Sequence, residues 1–475
     1  MFQKYNQDQN FLLPPDFQSF LWDSHEAVIL SEIIDELDHS TLLSSYATHK
    51  EVKGRPAYHP VMMLKVLFYA YMNQTFSSRN MAKKCRSDIA FMYLSGKQQP
   101  NFRSINRFRK ERGNILEWLF VQIVLQAQTL WLISFGRVSL DGTKIYASAS
   151  KQQCYDVERI EKQMKSLFDA AEEIDTAEDN EFWEENLDHI PEELTTKKGR
   201  EKRRRELAEK QREVEKKEEK LKQELHKKQE QWIPQKRINF TDTDARLMQM
   251  KRKDWGVGYS PQILTEKRFI LSTRVPNTPE DSGELIPSLE KLYDQFKIFP
   301  KEQLADTGYS SEANYRYLEE HAIASYIPHQ EKIRLSEYEY NEEKNTYTDR
   351  TWEIYIFKQN VGKKEDGRKR GRPKKWVQIR EIIATTYFCE KLNKYLYVNK
   401  NWHELCERND ERLYSKQWKE IYKKRSGCVE NVFGNIKGNL WFERFRLRGF
   451  QWVQIEWNLI SLAHNLKKLI SHRLA

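Results

Sequence analysis

No stretch of the 475 residues approaches the roughly 18 consecutive apolar side chains that a membrane-spanning helix needs. The opening residues, MFQKYNQDQNFLLPPDF, lack the basic start and apolar core of a secretory signal. A membrane is therefore not expected as a partner, and export is not expected either. Cysteine is scarce and scattered: Cys85, Cys154, Cys389, Cys406 and Cys428 are odd in number and contain no CxxC pair. This argues against a disulfide framework and against a cysteine-ligated zinc site, and fits reduced thiols in a soluble cytoplasmic protein. Apolar residues make up only 39% of the chain. Such a share is low for a single large core and points to long solvated segments attached to a folded body.

What the chain does have is charge. Asp, Glu, Lys and Arg make up 32% of it, above the roughly 25% of an average protein. The net charge is +10, and the aromatic content is high (Trp 13, Tyr 23, Phe 23). A basic, aromatic-rich chain favours a polyanion partner, nucleic acid before membrane. The length allows about two or three domains.

Residues 1–130 read as a helical domain. HPVMMLKVLFYAYMNQ (59–74) is an apolar helix with Pro60 in its first turn. Ser77 or Ser78 can cap a following helix. After the Gly96–Pro100 connection, FRSINRFRKER forms a basic helix carrying Arg103, Arg107, Arg109, Lys110 and Arg112. A short helix, a turn and a basic helix make the helix-turn-helix outline for DNA reading; the plain alternative is a solvated basic face. Residues 131–475 form the second unit, interrupted twice. In the 152–236 interruption, Val157, Ile160, Met164, Leu167, Ala171 and Ile174 step by three and four, and Leu207, Val214 and Leu221 lie seven apart. These seams predict an antiparallel, charged helical hairpin. The 330–385 interruption is polar and basic and reads as an insertion or a flexible loop.

Between the interruptions the pattern is α/β. RVSLDGTKIYAS (137–148) alternates as a half-buried strand and places Asp141 at its end. Asp-Gly is by itself only a turn signal. Residues 259–277 predict two strands joined at Thr265-Glu266-Lys267. GELIPSLEKLYDQF predicts an amphipathic helix, EQLADTGYSS a strand ending at Asp306, and a further helix and strand follow. This element order resembles a ribonuclease-H-like mixed sheet flanked by helices, in which carboxylates at the ends of the first and fourth strands converge with a third from a late helix. The candidate third is Glu430 in YKKRSGCVENVFGNIKGN. There Val429, Val432, Phe433 and Ile436 share a buried face, while Glu430, Gly434 and Lys437 share another. Three carboxylates without a histidine or cysteine cluster make a hard oxygen site suited to Mg²⁺ or Mn²⁺. Two such ions suit phosphodiester chemistry. Asp244, in TDTDARLM, is taken as a structural neighbour that caps or turns the chain.

These residues resemble the DDE transposases of bacterial insertion sequences. VSLDGTKIYASAS is similar to that family's first-aspartate strand and LADTGYSS to its second. Tyr422, Arg425, Glu430 and Lys437 are similar to its C-terminal signature, although four residues separate Arg425 from Glu430 where three are common. The N-terminal helices also resemble those of one branch of the family. The resemblance implies cut-and-paste transposition by a homodimer on DNA: binding of terminal inverted repeats, cleavage at each end and joining of 3′-hydroxyls to target DNA. It implies Asp141, Asp306 and Glu430 as metal ligands, and Tyr422, Arg425 and Lys437 as contacts to terminal DNA. The implied location is the nucleoid.

RKRGRPKK (368–375), with Arg368, Arg370 and Arg372, is similar to an AT-hook that lies in a narrow minor groove; a solvated basic loop is the alternative. Two other functions fit the same carboxylates or the same charge. One is a ribonuclease-H-like nuclease that cuts without joining, and the other is an inactive DNA-binding protein.

Overall fold

The computed structural model describes residues 17–47, 57–155, 238–250, 254–276, 278, 280–329, 337–364, 379–413 and 415–474, with isolated helical positions at 202, 205, 209 and 212. Apart from these positions and residues 152–155, the helical-hairpin expectation for 152–236 lies outside the described residues. So does the whole of the 368–375 stretch.

A run of helices comes first: α1 (Glu26–Asp35), α2 (Ser40–Ala47), α3 (Pro60–Met72), α4 (Ser78–Ser87), α5 (Ile89–Leu94), α6 (Phe102–Glu111) and α7 (Gly113–Thr129). Every residue of α3 except Lys65 is buried, as a helix that is apolar all round must be. Lys65 escapes by pairing with Asp35 at 2.6 Å. Ser77 stands at the N-cap of α4 without a side-chain capping bond, whereas Asn101 caps α6 through Ser104 N at 2.8 Å.

The chain then forms β1 (Arg137–Gly142), β2 (Ile145–Tyr146), β3 (Cys154–Tyr155), β4 (Ile238–Asn239), β5 (Arg246–Gln249), β6 (Trp255–Tyr259), β7 (Gln262–Glu266) and β8 (Phe269–Arg274). Helix α8 (Leu285–Phe296), β9 (Glu302–Leu304), α9 (Glu312–Glu320) and β10 (Ala324–Tyr326) complete the central region. The central mixed sheet runs β10-β9-β1-β7-β8. β7 is antiparallel to β1, β8 is antiparallel to β7, and β9 and β10 run parallel to β1. β3 pairs with β4, Tyr155 opposite Ile238, so the chain leaves and re-enters this region at one place.

The β7–β8 join falls one residue later than the sequence suggested. Lys267 and Arg268 form a two-residue turn with φ of 46° and 70°. Two positive φ values match the twist of a hairpin, a conformation usually signalled by Asn or Gly and here adopted by two long basic residues.

After β10 a second five-stranded sheet follows: β11 (Glu339–Asn341), β12 (Thr346–Thr348), β13 (Ile354–Lys364), β14 (Ile379–Cys389) and β15 (Lys394–Val398), all antiparallel in chain order. The described part of the 330–385 interruption is therefore folded, and its sheet continues to Val398. Helices α10 (Lys400–Leu413), α11 (Lys416–Gly434) and α12 (Phe450–Leu474) end the chain.

Helix α12 joins the N-terminal helices to the central sheet, packing against α3, α7 and β8. It also closes the sheet's β8 edge. The Asn465 side chain accepts from Ile270 N (3.0 Å) and donates to Ile270 O (2.8 Å), Gln454 Oε1 accepts from Val275 N (2.7 Å), and Asn458 accepts from Thr273 Oγ1 (2.5 Å). Side-chain amides here replace the missing next strand, leaving no open edge for another chain to pair with.

Candidate active site

Asp141 lies in β1 one residue before its end, and β9 runs parallel beside it. Asp306 follows β9 by two residues and caps a short 3₁₀ turn, accepting from Gly308 N at 2.9 Å. Both carboxylates meet one cation: an Arg425 Nη2 on α11 lies 3.4 Å from Asp141 Oδ2 and 3.9 Å from Asp306 Oδ2. Tyr422, one helical turn earlier, sets its ring 5.8 Å from the same guanidinium. Burial raises the Tyr422 phenol above its usual pKa, opposed by Arg425 and reinforced by Asp306 and Asp141.

Burial likewise pushes the Asp141 carboxyl up to about 6, opposed by Arg425 and reinforced by Asp306. A half-buried carboxylate needs a counter-charge, and Arg425 supplies it. The Arg425 Nε is itself buried with no hydrogen-bond partner among the described residues.

Glu430 lines a cleft of about 860 Å³ together with Asp141, Lys144, Asp281, Gly434 and Lys437. The helical phase expected for α11 holds. Val429, Val432, Phe433 and Ile436 are buried at 1%, 0%, 8% and 0% exposure, which turns Glu430 and Gly434 outward. Gly434 has open space where a Cβ would stand. Lys437 sits on a π turn, Asn435–Asn439, and donates to Lys144 O at 2.9 Å.

The structure thus gathers Asp141, Asp306, Tyr422 and Arg425 on one side, and Asp141, Glu430 and Lys437 around one cleft. Among the described residues no three Asp, Glu, His or Cys side chains close around a point as metal ligands. The donor types nevertheless fit a hard divalent cation. Asp141 and Asp306 are charge-compensated by a guanidinium, and every candidate donor is a carboxylate oxygen.

Two residues of this site carried no functional signal in the sequence reading. Gln262 is fully buried in a strand whose every position is buried, with its Nε2 2.7 Å from Asp281 Oδ1 and its Oε1 accepting from Tyr309 Oη. Thr265 and Glu266 are polar in the same strand, so the polarity of Gln262 gave no signal of its own. Gln262 also explains Asp-Gly at the end of β1. Gly142 lies opposite Gln262, and a Cβ there would stand 2.4 Å from Gln262 Nε2. Asp281 lies two residues before GELIPSLEKLYDQF, outside every motif read from the sequence.

The basic helix α6 divides. Arg103 and Arg107 are exposed and Lys110 is partly so; with Phe102 and Trp452 they line a groove of about 430 Å³. Arg109 departs from the expectation. It is 4% exposed and donates to Tyr71 Oη (3.1 Å), Phe76 O (3.1 Å) and Asn106 Oδ1 (2.9 Å), beside the buried Glu456. Its charge is spent inside the protein and is withdrawn from the DNA-contact set. Asp244 accepts from Phe450 N at 2.7 Å, a structural cap on the first residue of α12.

Comparison with known families gives two matches. Residues 15–111 match the family described as Transposase domain (DUF772), and residues 386–470 match the Transposase DDE domain. Both matches are to transposase domains, and together they support a DDE transposase of an insertion sequence. The second match spans Tyr422, Arg425, Glu430 and Lys437, and the first spans the basic face of α6. Among curated proteins and solved structures the chain finds no match. Among its described residues, no helix is long and apolar enough to cross a membrane.

Proposed function

We propose that this transposase binds the terminal inverted repeats of its element, cuts DNA at those ends and joins the freed 3′-hydroxyls to target DNA, using Asp141, Asp306 and Glu430 to hold Mg²⁺ or Mn²⁺, two ions per site. The observation that carries the proposal is the meeting on Arg425 of Asp141, in β1, and Asp306, on the turn after the adjacent parallel β9, with Glu430 lining the same cleft as Asp141. The strand order β8-β7-β1-β9-β10, in which β8, β7 and β1 alternate in direction and β9 and β10 run parallel to β1, supports a ribonuclease-H-like catalytic sheet. The domain division that follows is a helical unit over 1–130 and a catalytic unit over 131–475, interrupted at 152–236 and 330–385.

A divalent cation at these carboxylates supplies charge stabilisation to the attacking and leaving oxygens of a phosphodiester. The protein's own residues do the rest. Asp141 is held in β1, and Asp306 on the turn that follows β9. Arg425, once those carboxylates have another counter-charge, is left to meet a phosphate, for which its planar fork is suited. Tyr422 offers a ring for an unstacked base. Lys437 and the open surface at Gly434 let a phosphate backbone approach Glu430. Away from the cleft, Arg103, Arg107 and Lys110 form a basic groove for DNA, and Arg368, Arg370 and Arg372 add charge that favours a minor groove. Two ends must be processed together, which calls for a homodimer on DNA.

The test incubates the protein and its Asp141→Asn, Asp306→Asn and Glu430→Gln variants with Mg²⁺ and DNA bearing the element's ends. Cleaved ends and a joined product from the parent protein alone support the proposal. Cleavage without joining returns the nuclease reading. DNA binding without cleavage in all four proteins returns the inactive one.

A further inference from the structure

Asp281 lies outside both segments matched to transposase domains. It precedes α8, where its ordinary role would be to cap the helix. It does not do so: the N-cap of α8 is Glu284, with no side-chain capping bond. The Asp281 carboxylate turns to the cleft it lines with Asp141 and Glu430. Its Cβ packs against the turn that holds Asp306, 3.9 Å from where a Cβ on Gly308 would stand.

Its placement is built from three directions. Gln262 donates to Asp281 Oδ1 at 2.7 Å, and the Gln262 amide is itself oriented because its Oε1 is taken by the Tyr309 hydroxyl. Asn314 ties the loop to the same turn by donating both to Ser282 O (2.9 Å) and to Tyr309 O (2.7 Å). Arg274 anchors Glu284, three residues on, at 2.8 Å. A buried amide, a buried phenol and a glycine with no room for a methyl group thus serve to hold one oxygen of one carboxylate. The other oxygen has no hydrogen-bond partner among the described residues.

Burial raises the Tyr309 phenol well above its usual pKa, reinforced by Asp281, Asp141 and Asp306 and opposed by Arg425; burial also raises the Asp281 carboxyl, opposed by the Gln262 hydrogen bond and Lys144 and reinforced by Asp306. Such crowding costs folding free energy unless a cation offsets it.

We propose that Asp281 is a fourth carboxylate of the active site that shares the divalent cation with Asp141, and that Gln262, fixed by Tyr309, is the residue that positions it. This inference rests on the reading of Asp141 as a metal ligand, and the experiment separates the two. Mn²⁺ is titrated into the full-length protein, free of DNA, and the unbound ion is followed by its paramagnetic resonance signal; melting is recorded with and without Mn²⁺. The parent chain binds Mn²⁺ and melts higher with it. Asp281→Asn weakens Mn²⁺ binding by about tenfold or more, in the range found when outer partners of a metal site are removed. Without metal it melts at or above the parent temperature, because a repulsion has been removed. Gln262→Met weakens binding by a smaller factor, with Asp281 still present but unheld.

Unchanged Mn²⁺ affinity in Asp281→Asn, with loss in Asp141→Asn, overturns the inference and leaves the active-site reading standing. A metal-free Asp281→Asn protein that melts well below the parent also overturns it, since that marks a structural residue. Absent Mn²⁺ binding in the parent chain, or full binding in Asp141→Asn, overturns the reading beneath it.

Discussion

Every residue of β7 is buried, while β13 in the second sheet leaves Ile354 and Ile356 more than half exposed, at 54% and 55%. The central sheet is covered on its β8 side by α12 and packed by α8, so it can carry polar side chains such as Gln262, Thr265 and Gln303 at 0% exposure, each with a hydrogen-bond partner. The second sheet buries a small cluster of its own: Tyr347, Tyr355, Tyr387, Cys389, Leu396 and Val398. One sheet is a rigid platform able to hold charges at fixed positions, and the other is a thin layer whose order rests on a few tyrosines. Catalytic groups belong on the first kind, because carboxylates that hold a cation must keep their places within a fraction of an ångström.

The contrast breaks most completely if the carboxylates are expendable. Asp141→Asn, Asp306→Asn and Glu430→Gln are each expected to lower end cleavage by more than about a hundredfold, beyond the loss seen when only outer partners are removed. Rates of end cleavage at saturating DNA check this. Next in size is Tyr347→Ala, which removes a core tyrosine that is 4% exposed. The cost is about 3–5 kcal/mol, as for a buried aromatic, and it is confined to the second sheet. Hydrogen exchange is expected to speed up over residues 339–398 while β1, β7 and β8 stay protected; loss of protection in both sheets would merge the two regions.

Gly142→Ala sharpens the same contrast from the other side. Its new methyl group meets the buried Gln262 amide, which is hydrogen-bonded to Asp281 and Tyr309, and overpacking of this kind costs about 1–3 kcal/mol. Denaturant unfolding measures the loss, and activity is expected to fall with it because Gln262 is displaced.

His464 gives the pH dependence. Burial lowers its pKa to about 4, and the ring is held neutral between Asn435 Nδ2 (2.8 Å) and Arg268 O (2.8 Å). A depressed folded pKa means the unfolded chain binds the proton first. The stabilisation is therefore complete above about pH 6.5 and is lost as pH falls towards 4, by up to about 3 kcal/mol. His464→Gln is expected to flatten the melting temperature across that window; an unchanged slope would remove His464 as its source. The smallest effect belongs to the exposed face of the second sheet. Ile356→Thr is expected to change stability by no more than about 0.5 kcal/mol.

The same contrast governs how much was legible in the sequence. The central elements announce themselves by apolar runs and alternation, and the buried face of α11 fixed the phase of Glu430 from Val429, Val432, Phe433 and Ile436. The second sheet gave no such signal, since its buried positions include Tyr347, Tyr355, Tyr387 and Thr386 while its exposed ones include Ile354 and Ile356, so that polarity and burial do not alternate as they do in an ordinary strand. Arg109 looked like the rest of its basic helix, because nothing local reveals that Tyr71 and Glu456, distant in sequence, surround it. Gln262 and Asp281 became visible only once the strands were paired; their partnership with each other and with Gly142 is a property of register, which no short motif records.

The most direct test of the central claim, that carboxylates from β1, from the turn after β9 and from α11 serve one cation site, is cleavage of the protein backbone by Fe²⁺ with ascorbate and peroxide in place of Mg²⁺. The expected result is a cut near each of residues 141, 306 and 430, all suppressed by excess Mg²⁺. Cuts at one segment only, or cuts that Mg²⁺ does not suppress, would contradict it.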